Sequence, residues 1–166
     1  MVFDLDPGEG VAWEFVIETA LRLRDLLLSA KMDCWPKLTG GKGIHLMVPL
    51  DSPVTHNAAH AASRAIASQL AATAPGRYTV SANMAARSGR LFIDYLRNGR
   101  GTTAIGTWSP RAREGNPIAV PVSWHEIEQG IHADAFHIGA PPLPQRSSPR
   151  RRKVISSRRR QTGART

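Results

Sequence analysis

Two aspartates at alternating positions open the chain. Asp4 and Asp6 stand among Val2, Phe3 and Leu5 in the segment VFDLDPG, which ends in a Pro-Gly turn signal. Residues i and i+2 of a β-strand point to the same face, so both carboxylates would lie opposite the apolar side chains. Two like charges held this close repel each other and need a cation or water nearby. A bare D-x-D pattern is more often the solvated face of an edge strand, so both interpretations stay open here.

Two further segments can add polar groups to the same face. In IHLMVPL (44–50) the aliphatic residues alternate with His45, and in RLFIDYL (90–96) they alternate with Asp94. An acid inside so apolar a strand is costly to bury without a partner. If the three strands share a sheet with their aliphatic faces on the helices, His45 and Asp94 lie beside Asp4. This arrangement predicts a site for Mg²⁺ or Mn²⁺, metals that stabilise attacking and leaving oxygens in phosphoryl or nucleotidyl transfer.

A glycine-rich segment, KLTGGKGIH (37–45), lies between the acid-bearing segments. Its glycines allow backbone N–H groups to approach an anion, and Lys42 adds a positive charge. The G-x-x-x-x-G-K-[ST] spacing of a Walker A loop is absent, and a strand rather than a helix follows. A plain hairpin loop has the same composition, so the anion-binding interpretation depends on the position beside His45.

Other candidate chemistries are weaker. HNAAH (56–60) places two histidines at helical spacing, but the glutamate of a zinc-protease helix is missing, which favours surface histidines. Cys34 is the single cysteine, which excludes an internal disulfide and any multi-cysteine zinc site. It fits a packed small side chain better than a nucleophile. The patterns G-x-S-x-G and G-x-G-x-x-G do not occur.

Helices alternate with strands and strand pairs, which predicts an α/β (α+β) fold. The hydrophobic spacing predicts strands at 2–6, 34–39, 44–50, 77–81 and 90–96, an extended segment at 117–124, and helices at 11–30 and from a Thr55 cap to about Thr73. Pro36 favours an edge position or a bulge for its strand. Ser123 with Glu126 predicts a capping box on a short helix.

Charge is concentrated at the C-terminal end. The 166 residues carry a formal net charge of +9, and nine basic residues and no acids lie from Arg146 onward. We therefore predict a domain over 1–139 and a Pro/Ser-rich, then Arg-rich, disordered tail over 140–166. Nucleic acid is the polyanion that such a tail would bind, although a solubilising appendage or linker remnant is nearly as consistent with it.

The sequence has no signal-peptide pattern and no apolar run near the roughly 20 residues of a membrane span. Together with the single cysteine, this fits a reducing cytoplasm.

Five ordered motifs resemble a known family. FDLDPG, GGKGIHLMVPL, R-x-GRLFIDYLRN, T-x-x-x-x-x-WS-x-RAR and P-x-x-W-x-E-I extend over roughly residues 2–137. They are similar to the polymerase–primase domain of bacterial ATP-dependent DNA ligase D, an archaeo-eukaryotic primase type of domain used in non-homologous end joining. The resemblance implies a primase-type mixed sheet with an RRM-like core flanked by helices.

The resemblance also implies roles for individual residues. The catalytic, metal-binding residues would be Asp4, Asp6 and Asp94, with Mn²⁺ or Mg²⁺ as cofactor. The nucleotide-binding residues would be Thr39, Lys42, His45, Arg87 and Arg111. The implied partners are DNA ends, nucleoside triphosphates and the end-binding and ligase components of end joining, without a membrane, in the bacterial cytoplasm at the nucleoid.

The chain also departs from the family pattern. Leu38 and Thr39 replace the usual Thr-Ser of K-T-S-G-G-K-G, Ala86 stands where a lysine is common, and Pro110 replaces valine. The family's domain has a substantial front part before D-L-D-P, so we expect this chain to be the C-terminal, catalytic part of a truncated domain. Two functions follow: a metal-dependent nucleotidyltransferase at DNA ends, or a catalytically inactive remnant that binds nucleic acid through its basic tail.

Overall fold

The computed structural model describes residues 1–139, so the predictions for the tail at 140–166 lie outside the described residues. The strands are β1 (Val2–Pro7), β2 (Trp35–Leu38), β3 (Ile44–Met47), β4 (Tyr78–Thr79), β5 (Leu91–Asp94) and β6 (Val120–Pro121). The α-helices are α1 (Trp13–Ser29), α2 (His56–Ala72) and α3 (Trp124–Glu128), and short 3₁₀ helices occupy Met84–Arg87 and Leu96–Asn98. This mixed α+β architecture confirms the predicted fold class.

The six strands form one sheet in the order β4-β5-β1-β3-β2-β6. Strands β4 and β5 are parallel, and the other neighbours are antiparallel. Strand β1 has β5 on one side and β3 on the other, so the D-x-D segment is an internal strand rather than an edge strand. Its carboxylates therefore face side chains from two neighbouring strands.

The helices cover the aliphatic face of the sheet. Val16, Ala20, Leu23 and Leu27 of α1 are fully buried and belong to the same core cluster as Phe3 and Leu5 of β1, Ile44 and Leu46 of β3, and Leu91 and Ile93 of β5. This is the alternation predicted from the sequence. It leaves the opposite face of β1, β3 and β5 to polar side chains.

The predicted helix caps are present. The Thr55 hydroxyl accepts a hydrogen bond from the Ala58 amide at 3.2 Å, at the start of α2. Ser123 and Glu126 form the reciprocal capping box of α3. Within residues 1–139, the helices are all too short or too polar to cross a bilayer.

Several strands are shorter than predicted. Strand β5 ends at Asp94 because its carboxylate accepts a hydrogen bond from the Leu96 amide, 2.8 Å away, which starts the following 3₁₀ helix. The extended segment 117–124 pairs as a strand only at Val120–Pro121, with isolated bridges at Pro117 and Ile118. Prolines in this segment lack the N–H that a longer ladder needs.

The prediction from Pro36, an edge position or a bulge, was wrong, because β2 lies between β3 and β6 and its register with β3 is uninterrupted. Strand β6 pairs only with Lys37 and Leu38, so the sheet does not need an N–H from Pro36 on that side. The Pro36 carbonyl instead accepts a hydrogen bond from the Val122 amide at 3.1 Å.

Candidate active site

The strand registers place four polar residues side by side across the sheet. Lys37 of β2 pairs with His45 of β3, His45 pairs with Asp4 of β1, and Asp4 pairs with Asp94 of β5. Asp6 follows Asp4 by two residues in β1 and so shares its face. The structure thus brings the three aspartates and His45 onto one face of the sheet, where the alternation predicted them.

Arg97 connects the two paired acids. Its guanidinium lies 3.3 Å from Asp4 Oδ2 and 3.1 Å from Asp94 Oδ2. His45 Nε2 approaches the same Asp4 oxygen at 3.3 Å, while its Nδ1 is buried without a hydrogen-bond partner. The side chains of Asp4 and Asp94 are 13% and 9% exposed, whereas Arg97 is 38% exposed, so water screens these two ion pairs in part.

The two neighbouring carboxyls have pKa values that move in opposite directions. Burial alone would raise the pKa of Asp4, but hydrogen bonds and charges from His45 and Arg97 outweigh it and leave that pKa lowered. Burial raises the pKa of Asp94, and the Leu96 amide and Arg97 offset this only in part. Asp4 is therefore the more firmly ionised member of the pair.

Asp6 has its own cations. Lys42 Nζ lies 3.4 Å from Asp6 Oδ1 and donates a hydrogen bond to the Pro7 carbonyl at 2.8 Å. Arg87 forms an ion pair with the other Asp6 oxygen, and its guanidinium lies over the Phe92 ring at 4.7 Å. Each of the three acids thus has at least one cationic partner from the chain itself.

The donor chemistry of this face fits a hard divalent cation. Carboxylate oxygens are the ligands that Mg²⁺ and Mn²⁺ prefer, and Asp4, Asp6 and Asp94 offer them on one face. In the structure these oxygens are held by arginine and lysine. Across residues 1–139, no group of three or more His, Cys, Asp and Glu side chains is arranged to hold a metal ion. A metal ion at this face would compete with Arg97 for the Oδ2 atoms of Asp4 and Asp94.

A polar cavity of about 530 Å³ lies against this face. Its lining combines the acids Asp4 and Asp6 with basic side chains, the glycine loop and the segment 103–106; the basic residues are Lys42, His45, Arg97, Arg111 and Arg113. Of the residues that the resemblance implies, Asp4, Asp6, Thr39, Lys42, His45 and Arg111 line the cavity, whereas Asp94 and Arg87 do not.

The glycine loop follows the cavity wall closely. A Cβ on Gly43 would lie 2.6 Å from the Leu5 carbonyl oxygen and 3.4 Å from Asp4 Oδ1. Any residue other than glycine would therefore require a shift of the backbone. Gly40 has a φ of +66°, a left-handed conformation that favours glycine. The Thr39 hydroxyl donates a hydrogen bond to the Gly43 carbonyl at 3.0 Å and closes the loop. The loop's glycines are thus required by close approach to β1 and by backbone conformation.

Several residues of the site were missed by sequence reasoning. Arg97 and Arg113 line the cavity, and Lys37, 2% exposed, donates a hydrogen bond to the Ile105 carbonyl of the cavity wall at 2.5 Å. Burial lowers the pKa of Lys37, and the nearby Asp4 opposes this shift. Strand alternation could have identified Lys37, because Lys37 and Thr39 are two residues apart and therefore point to the same face of the sheet. Arg97 stands in the motif R-x-GRLFIDYLRN, but its return to Asp4 and Asp94 depends on the 3₁₀ turn after Asp94, where the sequence predicted strand to residue 96.

Comparison with known proteins identifies the family. The profile of the LigD primase-polymerase domain matches residues 1–149. The chain belongs to this family. The multifunctional non-homologous end joining protein LigD of Mycolicibacterium smegmatis is 36% identical over 127 residues, which covers 76% of this chain and 17% of that protein. The Pseudomonas aeruginosa protein of the same name is 35% identical over 145 residues, with 87% and 17% covered.

The fold agrees with this assignment. The polymerase domain from Mycobacterium tuberculosis Ligase D, solved in complex with DNA, superposes with a TM-score of 0.75 at 35% identity, covering 78% of this chain and 45% of that chain. The predicted family and primase-type fold are confirmed. The chain spans less than half of that polymerase domain and about a sixth of the two relatives. Members of the family are nucleotidyltransferases that generally need divalent metals.

Proposed function

We propose that this chain is the metal- and nucleotide-binding part of a primase-type polymerase that adds nucleotides to DNA ends in double-strand break repair by non-homologous end joining. The observation that carries the proposal is the in-register row of His45, Asp4 and Asp94 beside a cavity with basic walls. The names of the LigD relatives support the repair context, and the DNA-bound polymerase domain supports a DNA partner.

The three aspartates are the proposed catalytic acids. Asp4, Asp6 and Asp94 would hold Mn²⁺ or Mg²⁺, which when bound supplies positive charge to the attacking and leaving oxygens of nucleotidyl transfer. A bound metal would take over the neutralisation of these carboxylates, which in this structure Arg97 provides for Asp4 and Asp94 and Arg87 provides for Asp6. Both arginines are then free to turn toward phosphate, for which a guanidinium has matching donor geometry.

The basic cavity wall is the proposed triphosphate site. Lys42 and Arg111 supply positive charge, and the glycine loop lets backbone N–H groups approach phosphate oxygens. Thr39 closes the loop, and His45 borders both the loop and Asp4. Holding the triphosphate on a rigid wall orients its α-phosphate toward a 3′-hydroxyl brought by the DNA.

The proposed partners follow from this assignment. They are DNA ends, nucleoside triphosphates, and the end-binding and ligase components of end joining, in the bacterial cytoplasm at the nucleoid. The DNA-bound polymerase domain supports DNA as a partner, and the end-joining relatives support the repair context.

Calorimetry with GTP tests the nucleotide site. We expect binding to require Mn²⁺ or Mg²⁺ and Lys42→Ala to weaken it roughly 10- to 100-fold, because a hydrogen bond to a charged group contributes about 1.5–3 kcal/mol. Arg64→Ala, which removes a charge from the exposed surface of α2, is the matched control. Equal affinity in Mn²⁺ and in chelator would contradict the proposal.

The ion pairs of Arg97 with Asp4 and Asp94 also favour a second candidate function, in which the chain binds nucleic acid without catalysis. A primer-extension assay on DNA with a 3′ end and a template overhang separates the two. Incorporation that Asp4→Asn abolishes supports the polymerase. Binding of the DNA substrate without metal-dependent GTP binding and without incorporation supports the nucleic-acid-binding function.

A further inference from the structure

Trp108 has an unusual backbone conformation. Its φ is +67°, a left-handed value that is rare for a bulky residue. The conformation is held from both sides of a short hairpin, because the Trp108 amide donates to the Ala119 carbonyl at 2.7 Å and the Ala119 amide donates to the Ser109 carbonyl at 3.0 Å. Such strain persists only where surrounding structure imposes it, and it clusters at ligand-binding positions.

The indole of Trp108 has no partner within residues 1–139. It is 44% exposed and makes no ring contact, cation contact or side-chain hydrogen bond there. The indoles of Trp13 and Trp124 are different, since each donates a hydrogen bond at 3.1 Å, to the carbonyls of Ile131 and Cys34. The hairpin therefore fixes the backbone of a residue whose exposed indole makes no such contact with the rest of the described chain.

Trp108 lies in a segment whose neighbouring residues line the cavity. Gly106 and Arg111, on either side of Trp108 in sequence, both line the cavity, and the Ser109 amide donates to the Gly106 carbonyl at 3.3 Å. The Cα atoms of Gly106 and Trp108 are at most about 7.6 Å apart, because consecutive Cα atoms are about 3.8 Å apart. Trp108 is therefore an exposed residue between two residues that line the cavity, Gly106 and Arg111.

We propose that Trp108 is a stacking platform for a nucleobase whose phosphates are bound by the basic cavity wall. An indole face stacks on any base, because every base has a π-face. Lys42 and Arg111 provide the charge for the phosphates at the adjoining wall. The inference rests on the proposed nucleotide site and adds to it a contact with the base. The base comes either from a free nucleotide or from a single strand of DNA.

Titrations of the full chain with three probes test the inference: GTP with Mn²⁺, a dT12 oligonucleotide, and inorganic tripolyphosphate with Mn²⁺. Stacking contributes about 1–3 kcal/mol per base, so Trp108→Ala should weaken binding of GTP or dT12 roughly 5- to 140-fold. Affinity for tripolyphosphate should stay the same, and Trp108→Phe should recover most of the loss. Leu28→Ala, which truncates a side chain that is 49% exposed on α1, is the control.

The outcomes distinguish a free nucleotide from a DNA strand as the source of the base. They also distinguish failure of the stacking role from failure of the proposed function. A loss for GTP alone assigns the platform to the free nucleotide, and a loss for dT12 alone assigns it to a DNA strand. Unchanged binding of both probes to Trp108→Ala, or an equal loss for tripolyphosphate, would overturn the stacking role and leave the proposed function standing. A wild-type chain that binds neither GTP nor dT12 would overturn both.

Discussion

Arg97 is the cation that pairs with two of the three aspartates on the polar face of the sheet. It contacts Asp4 and Asp94 together, and it also donates a hydrogen bond to the Thr103 carbonyl of the cavity wall at 3.2 Å. One guanidinium therefore connects the two acids to the segment that borders the proposed nucleotide site. A cation that neutralises metal ligands competes with the metal for them.

This competition leads to a prediction. Arg97→Met removes the guanidinium but keeps much of the aliphatic stem, and we expect it to tighten Mn²⁺ binding roughly tenfold or more, because hydrogen bonds between charged groups of about 1.5–3 kcal/mol no longer have to be broken. Mn²⁺ titration followed by electron paramagnetic resonance measures this directly. Arg22→Met, which breaks the exposed pair with Glu18, is the control. Weaker Mn²⁺ binding by Arg97→Met would mean that Arg97 supports the metal site instead of competing for it.

At the scale of elements, strand alternation was the most informative part of the sequence. It separated Phe3 and Leu5 from Asp4 and Asp6, and the structure buries the first pair completely and turns the second toward the cavity. The ends of strands were less predictable, because they depend on partners far away in sequence. The carboxylate of Asp94 ends β5 through the Leu96 amide, a contact that hydrophobic pattern alone does not report.

The glycine loop gives a prediction at this scale. Gly43→Ala would place a Cβ 2.6 Å from the Leu5 carbonyl, so we expect the loop to shift away from β1 and the free energy of unfolding to fall by about 1–3 kcal/mol. GTP affinity should fall with it, because Lys42 moves with the loop. Chemical denaturation measures the first effect and calorimetry the second.

Gly76→Ala is the matched control for this change. A Cβ there would meet no atom within 4 Å, and the residue has no left-handed φ. This control should leave the free energy of unfolding almost unchanged. If Gly43→Ala behaves like Gly76→Ala, the close approach of the loop to β1 does not matter for stability.

At the scale of the whole molecule, the order of strands could not be read from the sequence by physical argument. Asp4 pairs with His45 and with Asp94, which lie far apart along the chain, and only a sheet with β1 between β3 and β5 makes both pairs. The alternation predicted the shared face only on the condition that the three strands belong to one sheet, and the resemblance added a mixed sheet without a strand order. Trp108 belongs to one of the motifs that resemble the family, but its exposure could not be predicted, since it depends on a left-handed backbone within a hairpin.

The distribution of charge gives the last prediction. All of the formal net charge of +9 comes from the nine basic residues from Arg146 onward, because the acids and bases before it balance. We expect these residues to dominate affinity for duplex DNA, without sequence preference, since phosphate contacts carry no base information. A salt titration should give a log–log slope of roughly −0.9 per phosphate neutralised, and a chain ending at Gly139 should lose most of that slope. A full-length chain with the nine basic residues changed to Gln controls for length. If the shortened chain binds as tightly with the same slope, the DNA surface lies on the folded part, and the basic wall formed by Lys42, Arg111 and Arg113 is where to look for it.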